Sequence, residues 1–135
     1  MRLEPLYGVE FSYPEHYHVE GVDSLHAFFG EGRTSGFLTG RFRGMNHTRR
    51  RVDDVYLPDY QGVIETDDGA TVWFDYRGYG RPRDGNREIV GTALHQSGDE
   101  RYARLNAAVC VLTGVSDGRK IRLEVAELVW EPLSD

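Results

Sequence analysis

The segment "DYQGVIETDDGATVWFDYRGYG", residues 59–80, constrains the fold more than any other part of the chain. A three-residue turn with Gly69 in the left-handed conformation places most apolar residues on one face and most polar residues on the other. A two-residue turn would mix polar and apolar residues on both faces. The opposed pairs on the apolar face are Thr66–Ala70, Ile64–Val72, Gly62–Phe74 and Tyr60–Tyr76. The opposed pairs on the polar face are Glu65–Thr71, Val63–Trp73, Gln61–Asp75 and Asp59–Arg77. The segment therefore predicts an antiparallel hairpin.

Alternation of apolar and polar residues continues along most of the 135 residues. Near the start, one parity carries Leu3, Pro5, Tyr7, Val9, Phe11 and Tyr13. A last hairpin is predicted to turn at "SDG", residues 116–118, and one short helix is predicted near residues 99–105, with Ser97 as its N-cap. Short strands with regular turns predict an all-β, mainly antiparallel fold. We expect a single domain over residues 1–135, a small closed or nearly closed β-barrel of the calycin kind.

Glycine recurs at every fourth position, 32, 36, 40 and 44, in "GEGRTSGFLTGRFRGMNH". In a strand this spacing places the glycines on one face, where they alternate with Thr34, Leu38 and Phe42. Glycines in strands allow sharp bends, so the segment predicts one strongly curved strand. The gaps on its concave face would be filled either by aromatic side chains from across the barrel or by a ligand.

The composition excludes several classes of protein. A net charge of −6 argues against a general nucleic-acid binder. The longest apolar run, residues 107–112, is too short for a membrane helix, and the first residues lack the apolar core of a signal peptide, so we expect a cytoplasmic protein without membrane partners. Cys110 is the only cysteine, which makes an internal disulfide impossible and favours a small buried residue over a reactive thiol.

Three segments together resemble a known family: "GRTSGFLTGRFRG", "GVIETDDGATVWFDYRGYG" and "DERYARLNAAVCVLTG". In this order they are similar to the domain of unknown function 3237 family, also called uncharacterised protein family 0311, and they cover most of the chain. The resemblance implies a small antiparallel β-barrel and brings no established activity with it. Two positions depart from the family pattern: Arg104 replaces a common tryptophan, and His95 replaces an apolar or aromatic residue.

The segment "SYPEHYHVEG" offers His16 and His18 two residues apart, with Glu20 as a possible third metal ligand. In a strand this spacing places both imidazoles on one face. The segment also has the character of a loop with exposed polar residues, which we favour, and we predict no metal site.

The polar face of the 59–80 hairpin permits two interpretations. In the favoured one it faces solvent, and its cross-strand pairs are structural. In the other it lines the barrel interior, where Asp75 would serve as an acid or base and Trp73, Asp59 and Glu65 would contact a ligand. The large ring of Trp73 keeps the second interpretation open.

Glu127 interrupts an apolar stripe, so its carboxylate needs a partner such as Arg41 or Arg104, or else a raised pKa suited to acid–base chemistry. His95 shares its strand face with small and apolar residues. A histidine in that setting is usually a structural core residue, but it is also the first candidate for proton transfer.

The sequence predicts a protein that binds a small organic molecule inside the barrel and catalyses a cofactor-free isomerisation, lyase or cyclisation step. The predicted acid–base residues are His95, Glu127 and Asp75. The predicted ligand contacts are Trp73, Tyr79, Arg41, Arg104, Tyr102, Asp59 and Glu65. Two alternatives remain open, a ligand carrier without catalysis and a structural or oligomerisation module. We expect no cofactor, and a homodimer as the oligomeric state.

Overall fold

The computed structural model of the chain describes residues 1–134. Its ten strands are β1 (Arg2–Glu20), β2 (Ser24–Gly36), β3 (Gly40–Asn46), β4 (Arg49–Arg50), β5 (Tyr56–Leu57), β6 (Asp59–Thr66), β7 (Thr71–Arg83), β8 (Asn86–Gln96), β9 (Cys110–Ser116) and β10 (Ile121–Val129). A single 3-10 helix, Glu100–Ala107, lies between β8 and β9. No helix among these residues is long and apolar enough to cross a membrane.

Eight strands form a closed ring in the order β7, β6, β3, β2, β1, β10, β9, β8, and β8 pairs back onto β7. Each neighbouring pair in the ring is antiparallel. The short strands β4 and β5 lie outside the ring and join it through the pairing of Tyr56 with Gly80. The predicted all-β, antiparallel barrel with one short helix is confirmed.

The 59–80 hairpin has the predicted register, with Ile64 opposite Val72 and Gln61 opposite Asp75. Gly69 has φ of +95°, the left-handed conformation that the three-residue turn needs. The apolar face is buried and the polar face points outward, where Trp73 is 45% exposed. The interpretation that turned Asp59, Glu65, Trp73 and Asp75 into the barrel is wrong, because the apolar side chains occupy the inner face.

The glycine-rich segment forms two strands, β2 and β3, and the prediction of one bent strand is wrong. The chain turns at Gly36, whose φ of +119° is open to glycine and strained for other residues. The Thr39 hydroxyl fixes the turn: it accepts a hydrogen bond from the Gly36 N–H at 3.2 Å and donates one to the Gly36 carbonyl at 2.9 Å.

Glycine in β3 lets neighbouring strands and rings approach closely. A Cβ atom on Gly40 would lie 2.7 Å from the Cα of Thr66 and would collide with the Glu65 carbonyl oxygen. A Cβ atom on Gly44 would lie 2.5 Å from the ring of Tyr60. The space beside these glycines is therefore filled by the adjacent strand β6, by its backbone at Gly40 and by its backbone and the Tyr60 ring at Gly44, and it does not form a ligand cavity.

Aromatic rings fill the middle of the barrel. Phe42 and Phe74 lie 4.5 Å apart between ring centroids, and Tyr60 lies 5.3 Å from Phe74. All three are at most 2% exposed, and Cys110 is fully buried as predicted. This layer separates the two ends of the barrel, which we call the sealed end and the mouth.

The sealed end is covered by the 3-10 helix, which buries Tyr102 and Leu105. The N-cap of this helix is Asp99, whose carboxylate accepts a hydrogen bond from the Arg101 N–H at 2.9 Å. The predicted cap, Ser97, instead accepts a hydrogen bond from the Asp99 N–H. The cap prediction was wrong because Asp99 is the residue with an extended backbone directly before the helix.

At the mouth, β1 and β2 continue beyond the ring as a two-stranded arm. Residues 15–20 pair with residues 24–29, whereas the pairing of β1 with β10 ends at Phe11. The expectation of a loop over residues 12–21 is therefore wrong. A β-bulge between Ser12 and Glu15 accommodates Pro14, which cannot donate a ladder hydrogen bond, and the strand continues past it.

Candidate functional site

The mouth contains a pocket of about 320 Å³, which we call the mouth pocket. It lies between the base of the arm, the connection from β3 to β6, and the turns that join β7 to β8 and β9 to β10. Its main lining residues are Tyr13, Phe28, Tyr56, Pro58, Tyr76, Ile89 and Ile121, with the polar residues Asn46, Thr48, Asn86, Arg87, Ser116 and Asp117. A concave, mostly apolar surface with a few polar groups is the usual form of a small-molecule site.

Asn46 and Tyr13 form a hydrogen-bonded pair in this pocket. Asn46 is only 5% exposed, and its Oδ1 accepts a hydrogen bond from the Asp59 N–H at 2.9 Å. That contact fixes the orientation of the amide, whose Nδ2 donates to the Tyr13 hydroxyl oxygen at 3.0 Å. Because the Tyr13 oxygen accepts this bond, its own O–H remains able to donate to a ligand.

Tyr13 keeps its proton at neutral pH. Burial raises the pKa of its phenol to about 12, against the opposing effects of Asn46 and of the neighbouring Tyr76 hydroxyl. Burial also raises the pKa of Tyr76 well above its usual value. The pocket therefore contains neutral phenols and not nucleophilic phenolates.

Arg87 forms one wall of the mouth pocket. Its guanidinium carbon lies 3.6 Å from the centroid of the Tyr56 ring, a close cation–π contact. Nη1 donates to the carbonyl oxygens of Asp54 at 2.8 Å and Gly80 at 3.1 Å, and Nη2 donates to the Asp54 carboxylate at 3.1 Å. Arg87 thus ties the β3–β6 connection to β7 and holds the Tyr56 side of the pocket in place.

A different polar pair lies buried at the sealed end. The Tyr7 hydroxyl and His95 Nε2 are 2.5 Å apart, and His95 is 5% exposed. Burial lowers the pKa of His95 to about 4, so the imidazole is neutral near pH 7. Its Nδ1 atom is buried without a hydrogen-bond partner among the described residues. This pair is enclosed by protein, in contrast to the pair at the mouth.

Several predicted site residues gather above this buried pair. Arg104 Nη1 lies 3.2 Å from Glu127 Oε1, and the Arg104 guanidinium carbon lies 4.6 Å from the centroid of Phe37. Arg104 is thus the partner that Glu127 was expected to need. Tyr102 donates a hydrogen bond to the Asp68 carboxylate at 2.6 Å, which ties the helix to the β6–β7 turn.

The other predicted site residues lie on the outer surface of the barrel. Arg41 pairs there with Glu31 at 2.6 Å, so it is not the partner of Glu127. Tyr79 is 47% exposed, with the guanidinium carbon of Arg51 5.7 Å from its ring centroid. Asp75 accepts a hydrogen bond from Gln61 at 3.2 Å. The structure therefore separates Asp75 from His95 and Glu127, and none of these three residues lines the mouth pocket.

The pocket residues Tyr13, Asn46, Tyr76 and Arg87 were not predicted as site residues. A signal was available for Asn46, because it continues the inward parity of Phe42 and Gly44 along β3. Tyr76 was placed on the apolar face as a core residue, which it also is. Their convergence depends on which strand ends meet at the mouth, and that follows only from closure of the ring.

The three histidines of the arm lie close together. His18 Nε2 lies 2.6 Å from Glu20 Oε1 and 2.7 Å from the Ser24 hydroxyl, and His16 Nε2 lies 3.0 Å from His26 Nδ1. Within residues 1–134, no three His, Cys, Asp or Glu side chains are arranged to hold a metal ion.

No family model and no curated protein matches the chain. Among solved structures, a β-barrel-like protein from Acinetobacter baumannii AYE matches with a TM-score of 0.85 at 19% identity, covering 95% of this chain and 96% of that chain. A protein of unknown function from Rhodopseudomonas palustris matches with a TM-score of 0.80 at 15% identity, covering 95% and 97%. An enzyme from Penicillium herquei matches with a TM-score of 0.67 at 18% identity, covering 95% and 94%. The chain thus has the fold of these β-barrel proteins.

Proposed function

We propose that the protein binds a small organic molecule in the mouth pocket and catalyses a cofactor-free isomerisation, lyase or cyclisation step there. The observation that carries this proposal is the Asn46–Tyr13 pair, which presents an oriented O–H donor inside a mostly apolar pocket. The ligand-binding part of the sequence prediction is kept, but its location moves from the barrel interior to the mouth.

The pocket favours a ligand with a flat, apolar body and a hydrogen-bond acceptor. Phe28, Tyr56 and Tyr76 supply ring surfaces, and Tyr13 supplies the donor. A volume of about 320 Å³ is at the lower end of the range for sites that hold drug-sized molecules, about 300–1,000 Å³. A one- or two-ring compound with a carbonyl group fits this description.

Tyr13 would stabilise negative charge that develops on the acceptor oxygen during the reaction. In an isomerisation next to a carbonyl group, a C–H proton leaves one carbon and a proton joins another, so no electrons are gained or lost. A fixed neutral donor at the carbonyl oxygen lowers the energy of the intermediate enolate. The carboxylate of Asp117, which also lines the pocket, would take the C–H proton from one carbon and return a proton to the other. His95, Glu127 and Asp75 lie outside the pocket, and their acid–base roles stay predictions.

The same site also suits a ligand carrier without catalysis. A carrier would hold its ligand through the same Tyr13 donor but would leave it chemically unchanged.

The shared fold with the Penicillium herquei enzyme is in keeping with the catalytic alternative. Incubation of the protein with a mixture of small carbonyl compounds, followed by mass spectrometry and NMR of the mixture, separates conversion from binding.

The homodimer also stays a proposal. Leu25, Val19 and Tyr17 are more than half exposed on one face of the arm, and an exposed apolar face of this kind favours self-association. Light scattering at micromolar concentration measures the oligomeric state directly.

Binding is tested with coumarin, a flat two-ring compound with a carbonyl acceptor, in an NMR titration of the wild type and two matched variants. Tyr13→Phe removes the donor at the mouth, and Tyr7→Phe removes the same hydroxyl from the sealed end of the same strand. We expect coumarin to shift resonances of the mouth residues, and Tyr13→Phe to weaken binding about 2- to 10-fold, the effect of one hydrogen bond.

Tyr7→Phe is expected to bind coumarin as the wild type does. It should lower the free energy of unfolding by about 1–3 kcal/mol, because His95 Nε2 loses its buried partner. Shifts confined to residues away from the mouth, or equal weakening by both variants, would contradict the proposed site.

A further inference from the structure

The arm consists of residues 15–20 of β1 and residues 24–29 of β2, paired with each other from Glu15–Phe29 to Glu20–Ser24. Beyond Phe11, β1 has no second neighbour within residues 1–134, and the pairing of β2 with β3 reaches only Phe28. An isolated two-stranded hairpin is marginally stable in water. The arm therefore depends on contacts between its own side chains.

One face of the arm carries His16, His18, His26 and Phe28. The rings of His16 and Phe28 are parallel within 4°, with centroids 4.0 Å apart. The rings of His18 and His26 are parallel within 9°, with centroids 4.2 Å apart. These two stacked pairs join the strands of the arm across this face.

His16 and His26 contact each other by their edges. His16 Nε2 and His26 Nδ1 are 3.0 Å apart, while the ring centroids are 5.3 Å apart and the planes differ by only 13°. This is the arrangement of an N–H···N hydrogen bond, in which one nitrogen carries the proton and the other accepts it. The pair can hold this bond when neutral or with a single positive charge. With two positive charges both nitrogens carry protons, and the bond cannot form.

The charges around the cluster come from the arm itself. Glu20 Oε1 lies 2.6 Å from His18 Nε2, and the Ser24 hydroxyl bridges the two side chains. Desolvation lowers the pKa of His26, His18 and His16 lower it further, and Glu20 opposes this effect. Glu15 lies on the opposite face, within 3.5 Å of the Tyr17 hydroxyl.

Phe28 connects the cluster to the mouth pocket. Its ring stacks on His16 and also lines the pocket, where it lies 5.2 Å from the ring of Tyr13. Any change that moves His16 away therefore removes support from one wall of the pocket.

We propose that the arm is a proton-operated support for the mouth pocket. As the pH falls, protons on His16 and His26 break their shared hydrogen bond, the strands of the arm separate, and Phe28 loses the ring that supports it. The consequence for ligand binding rests on the proposed function, whereas the opening of the arm does not.

Hydrogen exchange measured by mass spectrometry tests the arm directly. Exchange rates, corrected for the intrinsic effect of pH, are compared between about pH 7.5 and about pH 4.5. The lower value lies well below the ordinary imidazole pKa of about 6.5, as the lowered pKa of His26 requires. We expect the amides of residues 15–29 to lose about tenfold or more of their protection at the lower pH. Those of β6 and β7 should keep theirs.

Two variants complete the experiment. His16→Phe keeps a ring stacked on Phe28 but has no hydrogen bond with His26 for a second proton to break, so its arm should be equally protected at both pH values. His47→Gln, a histidine outside the cluster, should behave as the wild type. Unchanged wild-type protection, or a loss of protection that persists in His16→Phe, would overturn the proposal.

Coumarin titrations at the same two pH values test the link to the pocket. We expect weaker binding at the lower pH in the wild type and no change in His16→Phe. An arm that opens while coumarin binds equally well at both pH values overturns the link between arm and pocket. Absence of coumarin binding at both values counts against the proposed function, and the exchange data then decide whether the arm opens.

Discussion

The two ends of the barrel use the same strand and the same kind of side chain for different purposes. Tyr7 and Tyr13 both lie on β1 and both bond to a polar side chain from another strand, His95 at the sealed end and Asn46 at the mouth. A helix covers the first pair, whereas only turns and the arm surround the second. The hydroxyl pair at the sealed end is enclosed by protein, whereas the pair at the mouth leaves the Tyr13 O–H facing a pocket. The two pairs therefore differ mainly in whether other parts of the protein cover them, and less in their chemistry.

The largest expected effect on stability comes from adding one methyl group at the sealed end, and the same change on the arm is its control. Gly40→Ala at the sealed end forces a Cβ atom against the backbone of Glu65 and Thr66, so we expect a loss of about 3 kcal/mol or more in the free energy of unfolding. Gly21→Ala at the tip of the arm meets no atom within 4 Å and should change it by less than about 0.5 kcal/mol. Urea denaturation measures both. Similar small effects would mean that the strands at the sealed end can separate without penalty.

Protonation of His95 at low pH is a second way to test the sealed end. An unfolded chain binds a proton on this residue near its ordinary pKa of 6.5, whereas the buried imidazole has a pKa of about 4. The stability that depends on a neutral His95 is therefore fully present above pH 6.5 and is lost as the pH falls toward 4. The loss in the free energy of unfolding is at most about 3 kcal/mol.

The measurement is urea denaturation at several pH values for the wild type and for His95→Phe. The variant should have a flatter dependence of the free energy of unfolding on pH in this range, because it lacks the buried imidazole. Parallel curves for the two proteins would show that His95 is not protected from protonation in the folded state.

The smallest effect is expected at the ion pair above the sealed end. Arg104→Gln removes a partly exposed contact with Glu127 and the stacking on Phe37, so the free energy of unfolding should fall by less than about 1 kcal/mol. Arg33→Gln, which breaks an exposed pair with Asp67, is the matched control. A loss well above that of the control would mean that this ion pair, and not the packing of Tyr102 and Leu105, keeps the end closed.

The local features of the fold were predictable from the sequence. The register of β6 and β7 follows from the turn at Gly69 and from the requirement that apolar residues share a face. The turn at Gly36 was missed because the parity of the residues is the same before and after it, so one bent strand and two strands give the same pattern. The arm was missed because Pro14 and Glu15 interrupt an alternation that resumes beyond them.

The candidate site was less predictable because its residues come from distant parts of the chain. Tyr13, Asn46 and Arg87 lie on β1, β3 and β8, and only the ring of strands brings them to one pocket. His95 and Glu127 stood out in the sequence because polar residues on apolar faces are unusual. That signal indicated a buried histidine and a paired carboxylate, but it gave no partner for His95 and does not distinguish a sealed location from an open one.

The closure of the ring also affects how the chain reaches its folded state. Phe11 pairs with Ile121, so β1 obtains its second neighbour only when β10 has been added at the far end of the sequence. Contacts between such distant residues form slowly, and barrels dominated by them typically fold in milliseconds to seconds. Until that step, one edge of β1 remains open to other unfolded chains. Refolding yield should therefore fall as the protein concentration rises, even for variants whose final stability is unchanged.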